Sequence, residues 1–253
     1  MNTLERILQF ALPKLQGRTV MNLNLGLSLI AVQLDDGYIG TSMSLSEEIG
    51  NCYVIFPLVR DVIGAEAAQI ARWAVEREEA VCRAVGIAVL NAAANYQPLP
   101  DMVISEASEA VRIMKTDTVG MIGNIHPLYK VMKENAARYY IFDRGVPGDD
   151  IIPDDRQPEL LPTCDIVLIT GSSFANASFD TLLSYCVKAR EVWVVGPTTP
   201  LYPLAFEGSH VTHLSGSLWK SAAAAEIFRG ISLGAAMRDI SEHANKVTVK
   251  ISG

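Results

Sequence analysis

The stretch from Thr163 to Pro200, TCDIVLITGSSFANASFDTLLSYCVKAREVWVVGPTTP, constrains this chain most, because it reads as strand, polar turn, helix, strand and second polar turn. Asp165 to Thr170 and Glu191 to Gly196 are short, β-branched apolar runs suited to strands buried on both faces of a parallel sheet. Between them Phe179, Leu182, Leu183, Cys186 and Ala189 recur at helical spacing, with Asn176 or Ser178 placed to cap the first turn. In open parallel sheets ligands lie beyond the carboxyl ends of the strands. That position falls on Thr170, Gly171, Ser172, Ser173 and Asn176 after the first strand, and on Gly196, Pro197 and Thr198 after the second.

The same alternation starts earlier. Thr118 to Gly123 reads as a strand, Asn124 to Pro127 as a loop entering a helix, and Arg138 to Asp143 as the next strand. Asp143 lies where doubly wound domains set an acidic residue against a ribose. Against a nucleotide, GMIGNIHP lacks the GxGxxG pattern and no GxxxxGK[ST] occurs, so neither a standard dinucleotide nor a P-loop fingerprint is present. Val211 to Ser215 reads as a further strand, Leu218 onward as helix and Val247 to Ile251 as an edge strand. The expectation is a doubly wound, mostly parallel sheet of five or six strands.

The first part has a different grammar. Thr19 to Leu34 and Tyr38 to Ser44 are β-rich runs joined by Asp35, Asp36 and Gly37, as in a hairpin, and helices follow over Glu66 to Trp73 and Glu78 to Ala94. Strands followed by helices suggest an α+β module. Prolines in YQPLPD break the pattern, which sets a boundary near residue 105 and domains over 1–105 and 106–253. The amphipathic start, with Leu4, Ile7, Leu8, Ala11, Leu12 and Leu15 on one stripe, reads as a docking helix rather than a signal peptide. Ala84 to Ala94 is an apolar face for the core or for a homo-oligomer.

A formal charge of −7, with no basic run, argues against nucleic acid or an anionic membrane as partner. No apolar stretch approaches the length of a membrane span, and a cytoplasmic protein is expected. Cys52, Cys82, Cys164 and Cys186 are too widely spaced for a zinc pattern and read as buried thiols; no cluster announces a bound metal.

DIVLITGSSFANASFDTLL, REVWVVGPTTPLYP and VGMIGNIHPL, in their order after an antiparallel module with GYIGTSMS, resemble the heavy-metal chelation family, a domain family of unknown function. Ser172 and Ser173 stand where threonine is expected, Phe174 where an aliphatic residue is usual and Ala177 where glycine is common. The resemblance implies an α/β chain: an N-terminal α+β, enolase N-terminal-like domain, then a Rossmann-like doubly wound sheet. It also implies a site between them for a small-molecule ligand. The expected activity is condensation or hydrolysis of a precursor of a metal-chelating compound, pterin-, flavin- or siderophore-like. One alternative is a non-catalytic protein that binds a metal chelate or its chelator, and a further one is a methyltransferase using S-adenosylmethionine. No cofactor is specified beyond S-adenosylmethionine or a metal chelate.

The residues nominated for catalysis are His126 as acid or base, Asp143 as acceptor and Glu47 as a carboxylate closing over the cleft from the first domain. Asn51 and Asn124 join the glycine, hydroxyl and amide residues of the two turns as ligand-binding candidates. For the turn residues the competing reading is helix capping.

Overall fold

The computed structural model describes residues 1–44, 54–96, 99, 102–145 and 148–251. Glu47, Glu48, Asn51 and Cys52 lie outside them. In the first module, α1 (Thr3–Leu15) precedes β1 (Val20–Leu25), β2 (Leu29–Leu34) and β3 (Ile39–Met43), which form an antiparallel sheet in the order β1-β2-β3. The Thr19 to Leu34 run, expected as continuous β, folds back at Gly26 and Ser28 into two strands. Helices α2 (Ile55–Val59), α3 (Ala67–Glu76) and α4 (Ala80–Ala93) follow. Helix α4 is apolar around nearly its whole circumference and is buried accordingly, from Val81 to Ala93 with the exception of Arg83. Gly40 permits the close approach of β3, since a Cβ there would sit 2.1 Å from the Ala88 carbonyl oxygen.

The second sheet has seven strands. β4 (Met102–Val103), α5 (Ala107–Ala110), β5 (Thr118–Ile122), α6 (His126–Asn135), β6 (Arg138–Phe142), α7 (Gln157–Leu160), β7 (Ile166–Thr170), α8 (Ser172–Ala175), α9 (Phe179–Tyr185), β8 (Glu191–Val195), β9 (His213–Trp219), α10 (Ala224–Ser232) and β10 (Ala244–Lys250) follow in the chain. The spatial order is β4-β10-β9-β8-β7-β5-β6. The five strands from β6 to β9 are parallel, and β10 and β4 are antiparallel additions. Alternate residues of β7 serve opposite faces. Val167 and Ile169 join the core shared with α1, α3, α4 and α9, whereas Ile166 and Leu168 pack with Leu128 and Met132 of α6.

The two modules share that first core. Buried Tyr202 donates its hydroxyl to the Leu90 carbonyl at 2.7 Å, Asn24 donates to the Phe228 carbonyl at 2.7 Å, and α10 packs on β1 and β2. Helix α1, capped by Asn2, contributes Leu4, Ile7, Leu8, Ala11 and Leu15 to it and docks outward through Thr3 to Asp180.

Several local expectations are corrected. The GSS turn is helical rather than looped, forming α8. The strand expected over Val211 to Ser215 runs instead from His213 to Trp219, and the helix expected from Leu218 starts at Ala224. The closing strand is internal, not an edge: two-residue β4, just before the expected boundary, covers its outer side. Its polar alternation reflects a buried pair, Thr248 donating to Ser215 Oγ at 3.1 Å, rather than exposure to solvent.

Candidate functional site

The chain passes from β5 outward to β6, then returns across β5 to β7. The strand order therefore reverses between β5 and β7, and the loops leaving these strands diverge to leave a crevice at their carboxyl ends. Two adjoining cavities occupy it. The larger, about 420 Å³, spreads from the β5 loop across β7 and β8 to Ser215, Gly216 and Ser217 of β9, with Glu106, Lys246 and Arg238 on its far side. The smaller, about 260 Å³, lies toward β6, lined among others by Arg144, Asp154, Gln157, Asn176 and Ser178. Met43, Gly123, Asp143, Thr170 and Ser172 line both and form the waist between them. Volumes of this order suit a small organic molecule.

The waist is built tightly. Gly123 has φ +84°, and a Cβ there would lie 2.9 Å from Thr170 Cβ, so only glycine lets the two strand ends meet without strain. Thr170 and Ser172 share a hydroxyl hydrogen bond of 3.0 Å. Asp143 Oδ2 accepts the Asn124 N–H at 2.6 Å and Oδ1 accepts the Gly145 N–H at 2.9 Å, so this carboxylate holds the loops after β5 and β6 together. On the far side Lys246 Nζ meets Glu106 Oε1 at 2.7 Å.

The first module closes the crevice through β3. Thr41 Oγ1 donates to the Pro197 carbonyl at 3.2 Å and accepts from Trp219 Nε1 at 3.0 Å. The Met43 N–H donates to Thr198 Oγ1 at 2.8 Å, which sets Met43 against the cavity wall.

The nominated residues separate into three groups. Asn124, Asp143, Thr170, Ser172, Gly196 and Pro197 line the larger cavity, and Asn176 and Ser173 the smaller. Ser173 is nonetheless turned inward, its hydroxyl donating to the Thr170 carbonyl at 2.7 Å. Gly171, Thr198 and His126 are outside both linings. Gly171 is buried against Thr198 and Thr199, where a Cβ would lie 2.6 Å from the Thr199 nitrogen, and Thr198 is the buried acceptor for Met43. His126 opens α6 at the rim and is exposed. Asn176 Oδ1 accepts from the Ser178 N–H and hydroxyl at 3.2 and 2.7 Å, a turn ahead of α9; the side-chain cap expected on that helix from Asn176 or Ser178 does not form. Glu47 and Asn51 lie outside the described residues.

Sequence reasoning missed Met43, Glu106, Ser108, Ser215, Gly216, Ser217, Arg238 and Lys246. The usable signal was SGS within HLSGSLW: small residues interrupting an apolar strand mark a place where something else must fit. Among the described residues no group of three His, Cys, Asp or Glu side chains is placed to hold a metal ion. Burial pushes the Cys164 and Cys186 thiols up to about 12 and raises that of Cys82, as expected of inert core cysteines.

Residues 106–250 match the DUF364 family, described as "Putative heavy-metal chelation", and residues 8–94 match DUF4213, which carries the same description. A DUF364-family protein of Pyrococcus horikoshii superposes with TM-score 0.85 at 22% identity, covering 99% of this chain and 100% of that one. One from Desulfitobacterium hafniense superposes with TM-score 0.77 at 24% identity, covering 97% and 98%. Both are proteins of unknown function, and at these identities the likeness concerns the fold alone. An uncharacterized protein of Methanocaldococcus jannaschii is 28% identical over 140 residues, 53% of this chain and 54% of that relative's length.

Proposed function

The chain belongs to the DUF364 heavy-metal chelation family, and from that membership we propose that it binds a small organic chelator, or the chelate formed with a metal, in the cleft between β5 and β7. One observation carries this reading: the cleft wall combines hydroxyls with charged groups already engaged by the protein, Asp143 by two backbone N–H groups and Lys246 by Glu106. Such a wall recognises an organic molecule by hydrogen bonds and shape. The chelator then supplies the metal's donor atoms itself.

The reading of the first module as enolase N-terminal-like, and of the larger sheet as Rossmann-like, belongs to the same proposal. It is supported by a three-stranded meander with trailing helices, and by five parallel strands whose order reverses at β5 and β7. Catalysis, by condensation or hydrolysis of a chelator precursor, is a second reading, favoured by the Glu106–Lys246 pair on the cavity wall. S-adenosylmethionine has less support, because Asp143, on which that reading rests, already accepts a backbone N–H at each oxygen. No helix among the described residues is long and apolar enough to cross a membrane.

The test is thermal unfolding of metal-stripped protein with pterins, flavins, simple aminocarboxylate and hydroxamate chelators, and nickel, cobalt, iron or zinc ions, each alone and combined. A chelator at 100 times its dissociation constant adds about 2.7 kcal/mol to wild-type stability. The shift should vanish in Ser217→Trp, which fills the larger cavity. Stabilisation by metal ions alone, equal in both proteins, would sink the proposal, and saturable turnover lost in Asp143→Asn would promote the catalytic reading.

A further inference from the structure

The two edges of the small sheet are finished differently. Strand β3 turns backbone groups of Thr41 and Met43 outward, and both are met: Asn91 Nδ2 donates to the Thr41 carbonyl at 2.7 Å, and the Met43 N–H donates to Thr198 Oγ1 at 2.8 Å. On β1 the corresponding groups belong to Leu23 and Leu25. The Gly26 N–H donates inward to the Leu29 carbonyl, and hydrogen-bonded pairs alternate along an antiparallel ladder. The backbone groups of Asn22 and Asn24 therefore serve β2, while those of Leu23 and Leu25 point away from it. Among the described residues nothing bonds to these outward groups. Only the start of the edge is covered, where the Val20 N–H donates to Ala65 and the Val20 carbonyl accepts from Gly64.

An open edge ordinarily carries a charge or a proline that keeps other strands away. Neither occurs anywhere from Thr19 to Leu34. The open stretch is flanked instead by exposed apolar side chains. Met21 and Ile63, each 57% exposed, lie at its start, Ile63 adjoining the Gly64 that bonds Val20. Leu27 and Leu233, 80% and 78% exposed, lie at its end, where a Cβ on Gly234 would come within 3.5 Å of Leu27.

We propose that β1 pairs with β1 of a second copy of this chain, antiparallel about a two-fold axis through Asn24, joining two three-stranded sheets into one. That register sets Leu23 opposite Leu25 of the other copy, so outward groups meet outward groups, and sets Met21 opposite Leu27. The two ends of the strip are alike in chemistry, and antiparallel pairing brings the Met21 end of each copy against the Leu27 end of the other. The surface is thus complementary to itself, and the contact closes at two copies. Each copy carries a formal charge of −7, and the two meet along a strand that has none. Strand β3, which closes the crevice, is the opposite edge of the sheet, so pairing through β1 is independent of what the cleft binds.

Sedimentation velocity of the full chain from about 1 to 100 μM should show a monomer–dimer equilibrium, with hydrogen exchange slowing at the Leu23 and Leu25 amides as the dimer forms. Met21→Glu and Leu27→Lys, both at exposed positions that do not threaten folding, should each raise the dissociation constant at least roughly tenfold by burying an unpaired charge. The double variant M21E/L27K sets opposite charges across the interface and should recover most of that loss.

A dimer indifferent to both single changes, assembly beyond two copies, or a double variant no better than the singles overturns the proposal. A wild type still monomeric at about 100 μM also overturns it, and leaves the edge to a strand of another protein.

Discussion

The two rims of the large sheet handle polar groups in opposite ways. At the amino ends of β5, β7 and β8 the charges are paired with one another. Arg190 grips both oxygens of buried Asp117 at 2.7 Å, and Lys188 meets Asp165 at 2.9 Å. Trp193 stacks on His213 with ring centroids 3.9 Å apart while donating to Glu191. At the carboxyl ends, small residues leave a crevice, and charges at its edges are held by loops. The same strands thus have a closed end that holds the sheet together and an open end that leaves a crevice. Substitutions at the closed end should cost stability without touching binding; at the open end the order should invert.

The largest effect is expected at the closed end. Asp117→Ala leaves Arg190 without its partner and the Met114 N–H without its acceptor, and should lower the unfolding free energy by about 3 kcal/mol with chelator affinity unchanged. The Arg190 hydrogen bonds hold the Asp117 carboxyl below its ordinary range, and the Thr118 N–H does the same for Asp165. Since the folded values lie below the unfolded one near 3.9, these groups stabilise the fold above about pH 4 and lose that contribution as pH falls further. Urea midpoints between pH 3 and 6 should therefore fall on the acid side in wild type and flatten in Asp117→Asn.

Next comes the waist. Gly123→Ala forces a Cβ into a left-handed conformation against Thr170 and should cost about 2 kcal/mol. Unlike Asp117→Ala, it should also weaken binding, because the strand ends must separate. A variant equally destabilised but binding normally would break the distinction between the rims. Smaller again is Thr198→Val, which leaves the Met43 N–H without its acceptor and should cost about 1 to 2 kcal/mol by calorimetry.

These contrasts also explain what could be read in the sequence. Strands β5, β7 and β8 are buried on both faces and show as unbroken apolar runs, so their carboxyl ends, and with them Asn124, Thr170, Ser172, Gly196 and Pro197, were legible. Strand β9 was legible only as far as Ser215, because Ser215, Gly216 and Ser217, which line the cavity, break the apolar pattern that marks a strand. The residues that make the candidate site thus hid the second half of the strand carrying them, as expected where a local rule is broken. Lys246 and Glu106 were invisible for another reason: they are 140 positions apart, and only the antiparallel return of β10 brings them together.

His126 gives the smallest expected effect and the sharpest test of the open rim. It follows a strand, yet a residue at a rim can face the crevice or turn outward, and a one-residue step along the chain decides which. Asn124, Ile125, Pro127 and Leu128 all line the larger cavity, while the ring between them is exposed to solvent. An exposed side chain outside caps and buried networks changes stability by no more than about 0.5 kcal/mol. His126→Ala should therefore leave both the unfolding midpoint and the affinity for a chelator at wild-type values, measured beside Gly123→Ala as the positive control. A large loss of binding in His126→Ala would mean that the loop turns inward when ligand arrives, and the catalytic reading would gain a histidine beside the Glu106–Lys246 pair of the cleft wall.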